Sequence, residues 1–209
     1  MINVFLLIMG PAAAWDKIAR ARRGFVYITV VELLPLIFAG TALEAWGLHR
    51  HGKWQPAHQM FERFSPADIL RFEVLQVITL LAMIWVSALL VHKISQTFHD
   101  RPLFLKAYTT IAYAYCPMLL AHFLDYGGSV NPAAGWLLGI GCAVWVLYQG
   151  IPRILQPDPT HAFGVYLTTN VVVIMTSGLF RLFTAMYLLG YMDLQHSWLS
   201  RRLTHLFGP

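Results

Sequence analysis

Five stretches of this chain are each long enough to cross a bilayer as helix while carrying few charges: approximately Phe25 to Trp46, Phe72 to Val91, Leu103 to Tyr126, Pro132 to Ile151 and Val165 to Tyr191. A hydrocarbon core about 30 Å thick takes roughly 20 residues of helix to cross. No water is available inside it, so each backbone N–H and C=O must be satisfied within its own segment, which selects helices. Composition supports the same solvent: 12% of the 209 residues are charged, against about 25% in soluble domains. The 57% apolar content excludes disorder, and two cysteines exclude a disulfide scaffold. The chain reads as all-α, a polytopic membrane helix bundle with five transmembrane helices in one membrane domain, 1–209. Its connectors leave no room for a separate soluble catalytic domain of about 50 residues or more.

Ahead of the first span, residues 1–23 hold an apolar run from Val4 to Met9, then Trp15, Lys17, Arg20, Arg22 and Arg23. Signal peptides place positive charge before the apolar run, so this order predicts an uncleaved segment. It is too short to span and ends in a basic cluster, which predicts a short interfacial N-terminal helix on anionic headgroups. Counting Lys and Arg across five spans gives eight on the N-terminal side and six opposite. The four bases just before the first span then predict a cytoplasmic N-terminus and a periplasmic C-terminus. The net charge of +5 reads as membrane anchoring, with no surface suited to nucleic acid.

Ionisable side chains at membrane depth are costly and usually face a partner inside the bundle. The candidates are Glu32 and Glu44 in the first span, Glu73 and Gln76 in the second, His122 in the third, and Asn170 and Arg181 in the fifth. At 1.5 Å per residue, Glu32 lies roughly 10 Å from the cytoplasmic end, Arg181 roughly 24 Å, and Glu44 and His122 roughly 28 Å. An outer polar cluster of Arg181 with Glu44, Glu73 or His122 is therefore expected. Helical periodicity sets Asn170, Ser177, Arg181 and Thr184 on one face, and Tyr108, Tyr115 and His122 on another, both turned toward protein. Such stripes serve as helix glue, or as a substrate path or proton relay. Gly135, Gly139 and Ala143, with Gly150 beyond, let a neighbour approach the fourth helix closely. Pro35 and Pro117 predict kinks, and Pro35 frees a carbonyl beside Glu32, compatible with an ion or proton site.

His49, His51 and His58, with Glu62 a helical turn after His58, have spacings that zinc or copper accepts. No cysteine or further spaced ligand joins them, so they read as solvated interfacial histidines, and no metal or other cofactor is expected. A haem would need histidines at matched depth on facing spans, and only His122 lies deep. Cys116 and Cys142 read as reduced, apolar thiols. Ser177 with His122 is the one serine and histidine pair to consider, nothing orients it, and no catalytic residue is assigned.

Three segments carry a family resemblance: Ala112-Tyr113-Ala114-Tyr115-Cys116-Pro117-Met118-Leu119-Leu120, Trp145-Val146-Leu147-Tyr148-Gln149-Gly150-Ile151-Pro152, and Pro157-Asp158-Pro159-Thr160-His161-Ala162. The chain resembles the Yip superfamily, the Rab/Ypt-interacting five-span membrane proteins, and in particular its bacterial branch. The matching motif residues are Tyr115, Pro117, Tyr148, Gly150 and Pro152, and the stretch Pro11 to Ile18 is similar to that branch's segment before the first span. Trp145 and the turn His99-Asp100-Arg101-Pro102 depart from the family pattern, and the acidic-aromatic motif of eukaryotic members is not found, so GTPase binding is not implied. Taken physically, the fourth-helix motif is a helix terminus: Tyr148 suits the interface, Gly150 permits close approach or a cap, and Pro152 stops or kinks the helix.

The expected function is a non-enzymatic integral scaffold or accessory subunit of a bacterial inner membrane. It would act in envelope biogenesis or transport by packing against itself or a membrane-protein partner within the lipid bilayer. The alternative is a small permease or an ion or lipid carrier using Glu32 and the polar cluster around Arg181. A membrane enzyme with a metal on the histidine loop has the least support.

Overall fold

The computed structural model describes residues 2–55, 60–62, 64–98, 103–127 and 132–188. Along them run α1 (Ile2–Met9), α2 (Pro11–Ala21), α3 (Phe25–His51), the antiparallel pair β1 (Lys53–Gln55) and β2 (Met60–Glu62), α4 (Pro66–Thr97), α5 (Phe104–Ala121), α6 (Pro132–Ile154) and α7 (Ala162–Leu188). A 3-10 segment, His122–Gly127, extends α5. His58, the turn 99–102 and everything from 189 onward, including the expected end of the fifth span at Tyr191, lie outside the described residues.

All five expected spans are helical, and α3, α4, α6 and α7 are long and apolar enough to cross a membrane. The remaining helix, α5, is shorter and less apolar for a physical reason: its neighbours, not lipid, surround it. From Ala107 to Cys116 only Thr109 is more than 2% exposed. A helix enclosed by protein has no need of an apolar outer face, so tyrosines and threonines are admitted where hydroxyl partners exist.

Boundaries set by hydropathy alone miss the caps. Expected from Phe72 to Val91, α4 instead starts at Pro66, where the Ser65 hydroxyl accepts from the Asp68 N–H at 3.3 Å and donates to its carboxylate at 2.6 Å. The fourth helix also corrects its expectation, since Pro152 lies inside α6 and does not end it. The stop comes two residues later, with the N–H groups of Leu155 and Gln156 both donating to the Ile151 carbonyl and Gln156 left-handed at φ 52°. Near Pro35 the expected kink is a wide turn over Ile28–Leu33, in which the Leu34 N–H donates to Thr29 O, one residue farther back than in an α-helix. Proline offers no N–H to the Val31 carbonyl, and the extra residue absorbs that loss.

The expected interfacial helix is two helices, and they dock onto protein. Leu7 of α1 and Ala14, Trp15 and Ile18 of α2 are buried in the main core, and α2 lies along α6. Gly139 of α6 approaches α5 so closely that a Cβ there would sit 3.0 Å from Met118 Cα. The small-residue stripe therefore serves packing inside one chain.

Between α6 and α7, outside the spans, Asp158 Oδ1 accepts from the Thr160 hydroxyl at 2.6 Å and from its N–H at 2.9 Å. Those two bonds hold the Asp158 carboxyl below its ordinary value. Its contribution is therefore complete at neutral pH and disappears as pH falls through that lowered value. An NMR titration is expected to find a depressed midpoint that Thr160→Ala moves back toward normal.

Candidate intramembrane polar site

Three groups of polar side chains lie at different depths of the bundle. At the end carrying α1 and α2, the Arg23 guanidinium pairs with Glu32, donates to Tyr113 Oη at 3.1 Å and covers the Tyr27 ring at 4.9 Å. Beside them Thr29 Oγ1 and Tyr108 Oη are 2.7 Å apart. Glu32 is buried, at 4% exposure, and neutralised. Depth counting along the span did not find this partner, because Arg23 is a base placed just before the span.

At mid-depth, Tyr115 Oη lies 3.0 Å from Ser87 Oγ and 2.7 Å from Thr176 Oγ1, while Ser87 Oγ and Thr176 Oγ1 are 2.9 Å apart. This triangle ties α4, α5 and α7 together. Ser87 and Thr176 were missed because a search weighted toward charge passes over neutral hydroxyls, although Thr176 adjoins the expected Ser177 stripe. Removing the tyrosine hydroxyl as Tyr115→Phe is expected to cost about 1 kcal/mol, read as a lowered unfolding temperature in detergent.

At the opposite end, Gln76 Nε2 donates to Glu44 Oε2 at 2.7 Å, and His122 Nε2 sits 2.8 Å from each. Glu44 and His122, two of the residues expected around Arg181, thus pair with each other, with Gln76 as the third member. Arg181 and His122 line one cavity of about 50 Å³ together with Ser177 and Tyr115. Ser177 itself donates to Ile174 O on its own helix. Glu73, one turn before Gln76, is 9% exposed, and neither carboxylate oxygen has a hydrogen-bond partner. Asn170 lies apart from this cluster, about 16 Å from Arg181 along α7, with its Nδ2 donating to Tyr166 O at 2.7 Å.

Among the described residues no three His, Cys, Asp or Glu side chains are grouped so as to hold a metal ion. His49 and His51 are exposed in the last turn of α3. Cys116 and Cys142 are free thiols, the first buried with its Sγ 3.4 Å from Ala112 O.

The motif residues acquire geometric roles. Tyr115 is the centre of the hydroxyl triangle, and Pro117 is buried in α5. Tyr148 is exposed and meets the Tyr166 ring edge-on at 5.8 Å. Gly150 faces Trp15 so closely that a Cβ would fall 2.4 Å from the indole. The Trp15 ring is fully buried, with its N–H donating to Val146 O at 2.9 Å, and Asp16 meets Arg153 at 3.1 Å. The Yip1 domain model matches residues 5–190, from the docked N-terminal helices through α7. The chain belongs to the Yip1-domain family. No curated protein and no solved structure matches it. Within this Yip1 domain, the contact of Trp15 with Gly150 joins the first matched helices to the fourth-helix motif, across 135 residues of sequence.

Proposed function

We propose that this Yip1-domain protein is a non-enzymatic membrane scaffold or accessory subunit, working by helix packing with a membrane-protein partner or a second copy of itself. The observation that carries this reading is the use of buried hydroxyls, acids and bases to join helices, from Arg23 with Glu32 and Tyr113 to Glu44 with Gln76 and His122. Side chains committed in this way fix one bundle geometry and leave the outer apolar faces for association. Photo-cross-linking from Leu137 on α6 and Leu182 on α7, both exposed, tests it in native membranes. One recurrent protein adduct, or a cross-linked second copy, is expected. Lipid adducts alone at both positions would overturn the proposal.

The setting we propose is a bacterial inner membrane, with α1 and α2 on the cytoplasmic side and the C-terminus in the periplasm, supported by eight Lys and Arg against six. An alkaline phosphatase fused after residue 209 is then expected to be active, and a fluorescent protein at the same place dark. The opposite pattern would reverse the topology. A small permease or carrier is the second reading, favoured by the cavity that Arg181, His122 and Ser177 share.

A further inference from the structure

Between α3 and α4, at the end away from α1 and α2, lies an open groove of about 620 Å³ walled by Phe38, Thr41, Ala45, Trp46, Ile69 and Leu70. Glu73 belongs to its lining, is nine-tenths buried, and has no hydrogen-bond partner on either carboxylate oxygen. The nearby acid, Glu44, is already satisfied by Gln76 and His122. A carboxylate left without donors in apolar surroundings is costly, so the composition of this groove favours an occupant that brings a donating cation.

Depth narrows the class of occupant. The 32 residues of α4 extend about 48 Å, roughly 9 Å past a 30 Å hydrocarbon core at each end. Glu73 is the eighth residue of that helix, which sets it about 10 Å in, at the boundary of acyl chains and headgroups. His49 also lines the groove, and Arg50 stacks on Trp46 at 5.6 Å, putting a cation and an amphipathic ring at the mouth. An acid below, a base at the rim and an apolar trough between them are complementary to a zwitterionic amphiphile.

We propose that this groove holds one phospholipid with a primary-amine headgroup, its ammonium donating to Glu73 and one acyl chain lying along α3 and α4. This goes beyond the scaffold reading and does not depend on it. A quaternary ammonium carries the charge but cannot donate, and a glycerol head donates without the charge. The three headgroups therefore separate the two contributions.

The test uses the full chain reconstituted in vesicles of equal parts phosphatidylethanolamine, phosphatidylcholine and phosphatidylglycerol, then released into detergent for native mass spectrometry. Retained phosphatidylethanolamine is expected to exceed each of the others about tenfold, the worth of one charge-assisted hydrogen bond. Glu73→Gln is expected to erase the preference while leaving the melting temperature equal or higher, since it removes an unpartnered acid. Leu70→Trp, which fills the groove, is expected to remove the bound lipid whatever its head. Equal retention of the three lipids, a preference that survives Glu73→Gln in folded protein, or a second copy of the chain in place of lipid would each overturn the proposal.

Discussion

Replacing Gly150 by leucine is expected to drive Trp15 out of its seat and to detach α1 and α2 from the bundle. Even the first carbon of a new side chain would lie 2.4 Å from the indole, and neither side yields easily, since Gly150 is in the last turns of α6 and still within the helix, and Trp15 has no exposed surface. A buried tryptophan lost from its site costs about 3 kcal/mol or more. Release also gives up the hydrogen bond to Val146 O and the edge contact with Tyr113 at 6.0 Å. Trypsin digestion at Lys17, Arg20 and Arg22 reads the change, because a helix must open locally to be cut. Cleavage is expected to accelerate about a hundredfold, the equivalent of roughly 3 kcal/mol. Trp15→Phe keeps most of the ring and loses the N–H donor, so its effect is expected to be near 1 kcal/mol. Unchanged cleavage in Gly150→Leu would show that the docking does not hold these helices.

His122→Leu is expected to be the second most damaging change, and Glu44→Leu placed on top of it to restore much of what it costs. Glu44 is 6% exposed and has two partners, Gln76 and His122. Removing one member of a buried ion pair leaves the other charge uncompensated and costs about 3–5 kcal/mol, whereas replacing both with apolar groups of similar volume is often neutral. The double variant is therefore expected to unfold closer to the wild type than either single variant does, as followed by thermal melts of the purified protein in one detergent. Additive losses in the cycle would mean that Glu44 and His122 do not interact.

Hydropathy, with the bilayer as solvent, is enough to read the five helices from the chain, and depth counting along them is enough to put Glu44 and His122 at one level, though their pairing comes from the structure. The limits of that reading have physical causes. Arg23 escaped as the partner of Glu32 because a base outside a span was assigned to headgroups, although a wide turn at Pro35 leaves the acid facing back toward it. Trp15 followed by bases has the pattern of an interfacial anchor, and only the absence of a side chain at Gly150, 135 positions later, gives the ring a protein site. Such a contact has no local periodicity to betray it. Ser87 and Thr176 are equally silent in sequence, since each also donates to a carbonyl of its own helix, a habit shared by hydroxyls throughout membrane helices. Asn170 shares the stripe of Arg181 but sits about 16 Å away along the helix axis, where a common face does not mean a common site.

Whether the intramembrane polar groups hold a bundle that works by association is decided by the folded Glu44→Leu/His122→Leu double variant. Wild type and variant, each purified gently from native membranes into nanodiscs, would be compared by quantitative mass spectrometry of the membrane proteins recovered with them. A stoichiometric partner or second copy is expected with the wild type and is expected to be recovered equally well with the apolar variant. Wild-type protein recovered alone as a monomer, or a folded variant that loses the partner, would rule out a bundle that works by association.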